Sequence, residues 1–416
     1  MFLIHSKKSG FNIQAFDVLF MSLFFLAGTF GIKGIANYMG LGALEETFSL
    51  LFYIWWAIVY LHFLWSNKHM CKDLIISETF YIGILYLNYR LYPASQEFYE
   101  EYMMYLRQIA VVFIPTMTVA FRINNFKGSV VLLGKYGKYG ICFMILCYFM
   151  GYIQRWDYQF YGIHLCPFVL MVYAKYVFTQ NRKDLWWCAV GFIFLMAGGR
   201  QSFVGFFMGI IILYYSEKLF TISLKRFVVL LFISVFVLFF IYLLMPFLLN
   251  IVSDILGALG IESRTLEMLN ASELTSTSSR DNIYEMSIYF IQRTTGVTGL
   301  FADRVMLRNF NAWMEYPHNL VLELMIDFGI VIGGLISAYI LGLFAIRLYK
   351  GNLEKKLMIG VVGTAILSRL MVSSSFMIEG PFYLMLGLFL NAKDDIISKK
   401  QTVGIPKLVN DIDYEK

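Results

Sequence analysis

LWWCAVGFIFLMAGGRQSFVGFFMGIIILYY, residues 185–215, consists of two runs of nearly pure hydrocarbon broken only around Gly198-Gly199-Arg200. A charge at the bilayer midplane costs roughly 2.5–3.5 kcal/mol even on the lenient insertion scale. The stretch is therefore better placed as two membrane spans joined by a tight turn, with Arg200 at the turn, than as one long helix with an arginine at its centre. Gly198 and Gly199 permit the turn, and Gly205-x-x-x-Gly209 is the small-residue spacing that lets a helix approach a neighbour closely.

The whole chain agrees with that reading. It has 416 residues, 59% of them hydrophobic, 15% charged, and a mean hydropathy of +0.66. Soluble domains carry about 25% charge, and long apolar stretches with few charges indicate membrane spans. The net charge of +6 is distributed as a membrane orientation would distribute it, so it gives no sign of nucleic-acid binding. The first apolar run lacks a small-residue cleavage pattern and is expected to remain as a span. Cys71, Cys142, Cys147, Cys166 and Cys188 fall in spans or short basic loops without metal-site spacing, so neither a disulfide framework nor a zinc site is expected.

Apolar windows near residues 15–32, 47–65, 74–91, 103–121, 139–153, 162–178, 185–198, 203–215, 227–248, 320–346, 357–372 and 381–391 predict an all-α polytopic protein of about twelve transmembrane helices. Several windows are shorter than the ~20 residues a crossing needs, so they must borrow polar flanks. With the N-terminus in the cytoplasm, every inner segment carries Lys or Arg, including Arg122, Lys127, Lys135 and Lys138 in one loop, while the outer QEFYEEY (96–102) is acidic. That asymmetry is the positive-inside pattern, and it puts both termini inside. The expected organisation is a nine-span region (1–248), a large outer loop (249–317), a three-span region (318–391) and a cytoplasmic tail (392–416).

Basic residue type also differs by side. Among the lysines only Lys33 lies clearly outside, whereas Arg155, Arg200, Arg264, Arg280, Arg293, Arg304 and Arg308 lie at the outer face, with Arg90, Arg107 and Arg369 close to it. Arginine offers a planar, bidentate fork suited to phosphate. Two explanations stand: a phosphate ligand on that face, or outer loops that simply avoid lysine during insertion. Arg200 likewise is either a side chain snorkelling to the outer headgroups or a charge at the mouth of a cavity. The outer acidic residues Glu97, Glu100, Glu101 and Asp157 lack ligand spacing and are expected to be solvated loop charge.

The outer loop contains SSRDNIYEMSIYFIQRTTG (278–296). Ser278 or Ser279 can cap a helix, Ile283, Met286 and Phe290 share a face, and Gly296 can stop it. This predicts an amphipathic helix on the outer membrane surface, with Arg280 in its first turn. A cation there opposes the helix dipole, a conflict that a bound anion would relieve and that solvent alone can also tolerate. The loop ends in MEYPHNLVLELMIDFGIVIGG (314–334). Its apolar continuation is too long for one crossing, so Glu323 and Asp327 are expected to project outward or line a cavity. His318 and His164 are the candidate outer histidines, while His5, His69 and His62 lie toward the inner side. Histidine titrates nearest neutrality and suits general-base work, although one at a span boundary is also an ordinary interfacial residue.

Together, the Gly-Arg turn entering a span, the Ser-Arg opening of a loop helix, and Pro-His-Asn-x-x-Leu-Glu-Leu followed by Phe-Gly-Ile-x-Ile-Gly-Gly resemble the O-antigen ligase/polymerase superfamily of Wzy-type polymerases and WaaL-type ligases. The resemblance covers residues 185–391 in order and spacing; residues 1–184 match only as a series of spans. It implies a GT-C-like architecture, short amphipathic helices in a large periplasmic loop, and a metal-independent glycosyltransferase of the bacterial inner membrane with no cofactor. It implies undecaprenyl-diphosphate-linked oligosaccharides as substrates. A Wzz-type chain-length regulator and a flippase become candidate partners beside the lipid bilayer, and no nucleic acid is expected. Carried over by residue, Arg200 and Arg280 would hold the diphosphate and His318 would activate the acceptor hydroxyl, with Asn319, Glu323, His164 and Arg293 as possible supporting residues. One departure stands out. The family turn often reads Ser-Arg-Gly, whereas this one reads Gly-Arg-Gln, with Ser202 following.

Three functions follow for comparison: a glycan polymerase, the ligase that moves finished glycan to lipid A-core, and, from another class, a polysaccharide flippase. A transporter would place ionisable residues near the midplane and show two related halves. No internal repeat is evident, and the ionisable residues gather at the outer edge around one asymmetric loop, which favours an enzyme.

Overall fold

The computed structural model describes residues 14–150, 158–216, 254, 257–258, 280–294, 296–312 and 314–393, apart from the side chains at 30, 45 and 200. The expected span at 227–248, Arg155, Asp157, Arg264, most of the loop before Arg280 and the tail beyond 393 lie outside the described residues.

Among the described residues all regular structure is helical and there is no strand. The helices are α1 (Ala15–Tyr38), α2 (Glu45–Ser66), α3 (Met70–Leu91), the short α4 (Gln96–Glu101), α5 (Met103–Gln108), α6 (Ile114–Arg122), α7 (Ser129–Phe149), α8 (Tyr158–Thr179), α9 (Arg182–Leu195), α10 (Arg200–Ser216), α11 (Arg280–Arg293), α12 (Ala302–Asn309), α13 (Leu320–Lys350), α14 (Leu353–Val372) and α15 (Gly380–Leu390). A π turn, Ile109–Phe113, joins α5 to α6. Each apolar window within the described residues holds a helix.

Six helical stretches are long and apolar enough to cross a membrane by length and composition: Ala15–Tyr38, Gly42–Ser66, Met103–Arg122, Ser129–Phe149, Tyr158–Thr179 and Leu320–Lys350. The others fall short for definite reasons. α9, α10 and α15 are too short, while α3 carries Lys72, Asp73, Glu78 and Arg90. α14 opens with Glu354-Lys355-Lys356, yet it is buried almost throughout. Its Lys355 ammonium is fully buried and donates to the carbonyls of Asn391 and Lys393 at 2.7 and 2.6 Å. A helix screened by its neighbours can carry charges that a lipid-facing one cannot.

α8 is the centre of the bundle. Leu165 and Phe168 through Val172 have no exposed surface, and α7, α9, α10 and α14 pack around the helix. Close packing on α10 uses its two glycines: a Cβ at Gly205 would meet Ser368 Oγ of α14 at 2.5 Å, and one at Gly209 would meet Leu170 of α8 at 2.5 Å. The small-residue spacing therefore serves two neighbours at once.

Three expectations are corrected. α7 begins at Ser129, so Lys135 and Lys138 belong to a helix rather than a loop, and Lys138 pairs at 2.6 Å with the buried Asp184. The amphipathic helix α11 does not spend its apolar face on lipid. Ile283, Met286, Phe290 and Ile291 pack with Met306, Leu307, Met314 and Ile326 in a small core of their own. The acidic Glu97 and Glu101 are not merely solvated, because both pair with Arg308 of α12, at 2.8 and 3.0 Å. Those pairs join α4 to α12. At the other end of the bundle Arg122 pairs with Asp73 at 2.6 Å.

α13 resolves the problem of its own length by breaking. Gly329 has φ 78° and ψ 160°, a conformation essentially confined to glycine, so the first turns leave the axis of the long apolar part. This break carries Glu323 and Asp327 into the protein.

Candidate functional site

The end of α14, Val372-Ser373, is the meeting point of the candidate residues. Arg280 lies in α11, and its Nη1 donates to the Val372 carbonyl at 2.7 Å. Its Nε is buried with no hydrogen-bond partner among the described residues. His318 comes to the same segment from the far side of the loop and hydrogen-bonds through its ring to the Ser373 backbone. Its Nδ1 is buried and has no hydrogen-bond partner among the described residues.

Local sequence explains the histidine's position. Asn319 caps α13, its Oδ1 accepting from the backbone N–H groups of Val321 at 3.0 Å and Leu322 at 3.3 Å. This assigns Asn319 a capping role. His318 precedes the cap with φ +56°, the left-handed region, which costs a non-glycine residue roughly 1–2 kcal/mol. Its ring lies 4.3 Å from that of Tyr316. Burial depresses the imidazole pKa to about 4, Arg280 and Arg304 add to the effect, and the Ser373 hydrogen bond opposes it. The ring is therefore neutral at physiological pH.

Arg200 opens α10. Nothing is described of its side chain, but helix geometry fixes the level of its backbone. Gly205 sits beside Ser368 on the antiparallel α14. Five residues up α10 and four up α14 rise about 7.5 and 6 Å at 1.5 Å per residue, which brings Arg200 level with Val372. Arg200 thus begins a helix, where unpaired N–H groups and the positive end of the dipole attract anions.

Behind this segment lies a polar cluster that the sequence did not single out. Arg304 is 1% exposed. Its Nη1 donates to both Asp303 oxygens at 2.8 and 2.7 Å and to Glu323 at 3.2 Å, and its Nη2 donates to Ser375 Oγ at 2.6 Å. The guanidinium lies between the rings of Tyr102, Phe301 and Tyr316, at 5.0, 5.1 and 5.2 Å. Ser375 donates to Glu323, and the Asp303 N–H donates to Asp327 at 3.3 Å. Burial alone would lower the pKa of Arg304, but Asp303 and Glu323 outweigh it and hold the guanidinium above its ordinary value. Burial likewise raises Asp303 against the pull of Arg304. The available signals were faint: an Asp-Arg pair opening a short helix, and Glu323 and Asp327 on one face at i, i+4.

Arg369, one turn below Val372, pairs with Glu379 at 2.7 Å, and Ser374 donates to the same carboxylate at 3.1 Å. His164 of α8 shares a cavity of about 30 Å³ with Arg369 and Glu379. Arg293 stands exposed at the other end of α11 from Arg280, over the Tyr289 ring at 4.2 Å. The described residues thus bring together His318, Arg280 and the start of α10, place Glu323 in the Arg304 cluster behind them, and leave Arg293 apart. Among the described residues no group of His, Cys, Asp or Glu is arranged to hold a metal ion.

Chemically, a neutral imidazole with an unengaged nitrogen converges with the Arg280 guanidinium on one segment, level with the N-terminus of α10. Such a set can bind a dianion and accept a proton next to it. Compared with protein-family models, with curated proteins and with solved structures, the chain matches none of them.

Proposed function

We propose that this protein is a twelve-span, GT-C-like O-antigen polymerase of the bacterial inner membrane, with both termini cytoplasmic and its site facing the periplasm. It transfers a glycan from an undecaprenyl-diphosphate carrier to a sugar hydroxyl of another lipid-linked repeat unit. The convergence of Arg280 and His318 on Val372-Ser373, with α10 beginning at the same level, carries this reading. The sorting of ion pairs by bundle end supports the topology, since the acidic outer segment 96–102 meets the outer loop through Arg308.

In the reaction the acceptor oxygen attacks the anomeric carbon, forming the new glycosidic bond. The bond to the carrier diphosphate breaks, and its electron pair leaves with the phosphate oxygen. The acceptor proton passes to Nδ1 of His318 and then to solvent. A positioned base contributes typically 10²–10⁴-fold. Charge growing on the diphosphate is stabilised by the arginines and the N-terminus of α10, where removing one donor typically costs 10²–10³-fold. The incoming dianion also offsets the field of Arg280, which strengthens His318 as a base when substrate is bound.

The test is reconstitution with purified lipid-linked repeat units. Wild-type protein should form polymer, and His318→Ala should bind the lipid-linked donor without forming polymer. Transfer to lipid A-core with no polymerisation would assign the ligase activity instead; an active His318→Ala variant would sink the mechanism. On a cysteine-free background, Asn270→Cys should react with an impermeant thiol reagent from the periplasmic side.

A further inference from the structure

Both contacts that define the candidate site are made to main chain at the end of α14. Val372, the last residue of α14, offers its carbonyl to Arg280, and Ser373 offers its backbone to the His318 ring. How these two groups stand relative to each other therefore depends on how firmly residues 372–373 are held. Residues 373–379 then link α14 to α15. Arg369 and Glu379 stand on either side of that link, ten positions apart, and they meet. Arg369 Nη1 donates to Glu379 Oε1 at 3.0 Å, and its Nε lies 2.7 Å from Oε2.

The same two residues also hold the link by its main chain. The Arg369 carbonyl accepts from the N–H groups of Ser373 and Ser374, at 2.8 and 3.0 Å. Glu379 takes the Ser374 hydroxyl on Oε2 at 3.1 Å, and its own N–H donates to the Ser375 carbonyl at 3.0 Å. Ser373 and Ser374 are thus tied back to α14, Ser374 and Ser375 are tied forward to the start of α15, and the ion pair joins the two ends. The Arg369 guanidinium also lies 6.0 Å from the Phe160 ring of α8, the central helix. Neither residue is free for the chemistry itself. The Glu379 side chain is 2% exposed and engaged by Arg369 and Ser374, and the Arg369 charge is already met by that carboxylate.

Stability is a weak reason for such a pair. Taking two charges out of water carries a cost that their attraction often only matches, and apolar residues of similar volume frequently serve a fold as well or better. What apolar residues do not supply is a directed contact. A guanidinium meets a carboxylate in few arrangements, and each bond made by Ser374 narrows them further. We propose that Arg369 and Glu379 are positioning residues for the transfer reaction. By fixing the 373–379 link they set where the Val372 carbonyl holds Arg280 and where the Ser373 backbone holds His318, and so the separation of the diphosphate clamp from the base. The catalytic consequence rests on the proposed function, whereas the hold on His318 does not. Misplacing a reacting group by about 1 Å costs up to about 10²-fold in rate.

The experiment uses full-length protein in lipid nanodiscs and reads three quantities. These are the thermal midpoint, the rate at which diethylpyrocarbonate modifies His318 as followed by mass spectrometry, and kcat for transfer between purified lipid-linked repeat units. In wild type His318 should react slowly, because its Nδ1 is buried and its ring is engaged with Ser373. Arg369→Met combined with Glu379→Leu replaces the pair by apolar groups. This variant should keep a thermal midpoint close to that of wild type, yet its His318 should react about threefold faster or more and its kcat should fall about tenfold or more. Glu379→Gln keeps acceptors for Arg369 and Ser374 and should stay within about threefold of wild type in rate and reactivity. Ser374→Ala removes only the bond from that hydroxyl, should also speed the modification of His318, and decides the matter if the apolar pair does not fold. Wild-type reactivity of His318 in Ser374→Ala or in a folded apolar-pair variant would overturn the proposal, as would a wild-type kcat in the apolar-pair variant. A wild-type protein that forms no polymer, with His318 loosened in the variants, would remove the proposed function and leave the hold on the histidine standing.

Discussion

Replacing Arg304 with methionine tests the least accessible part of the site. Methionine is unbranched and fills irregular gaps, so the change chiefly removes charge and hydrogen bonds. Bonds to Asp303, Glu323 and Ser375 disappear together. Removing one partner of a buried ion pair costs roughly 3–5 kcal/mol, because the remaining charge is left uncompensated. The cost should depend on pH with a definite sign. Asp303 already has a raised pKa from burial, against the pull of Arg304, and loss of the guanidinium raises it further. A carboxyl whose folded pKa exceeds its unfolded value stabilises the native state below the unfolded pKa, and that contribution is lost as pH rises through the folded value. The deficit of Arg304→Met should therefore be larger near pH 8 than near pH 5. Apparent thermal midpoints of wild type and variant in nanodiscs at both pH values read this directly. Adding Asp303→Asn and Glu323→Gln to the variant should recover part of the loss. Because the guanidinium also lies against Tyr316, whose ring is 4.3 Å from that of His318, transfer should fall even at temperatures where the variant remains folded. A variant as stable as wild type at both pH values, or one more impaired in acid, would refute the compensated-cluster argument.

The remaining predictions concern the site and its supports. His318 acts as a neutral base, so kcat/KM should hold as pH falls and decline only as the imidazole protonates near its depressed value of about 4; an acid limb at the ordinary histidine value near 6.5 would contradict its burial. Arg280→Lys can keep one bond to the Val372 carbonyl but loses the planar fork, and transfer should remain about tenfold or more below wild type while protein levels are normal. Full activity in that variant would leave only a point charge to explain. Gly329→Ala forces a side chain into a glycine-only conformation and places its Cβ 2.8 Å from the Gly296 carbonyl oxygen. It should cost about 1–3 kcal/mol and lower the yield of folded protein, with a wild-type thermal midpoint counting against the break in α13.

What was legible from the sequence follows from local rules. Apolar windows alone located the described long helices, because a membrane-compatible helix needs only a continuous run of suitable residues. The Gly-Arg turn before α10 and the turns opened by His318-Asn319 were also readable, since helix ends are announced by residues within a turn of the boundary. The break in α13 was half legible: its length demanded one, but only the backbone at Gly329 shows where it falls.

Tertiary packing decided the rest. The partners of Arg304 lie one, 19 and 71 positions away, and no periodicity connects Asp303, Glu323 and Ser375. Likewise nothing within α11 distinguishes a face that will meet lipid from one that will meet Met314 and Ile326. The charges opening α14 look unsuited to a membrane until its neighbours are in place, with Asn391 and Lys393 supplying carbonyls to Lys355. Hydrophobic periodicity states how much apolar surface a helix must cover. What covers it, and which buried charge finds its counter-charge, depends on segments far apart in the chain, and that is fixed only when the helices pack.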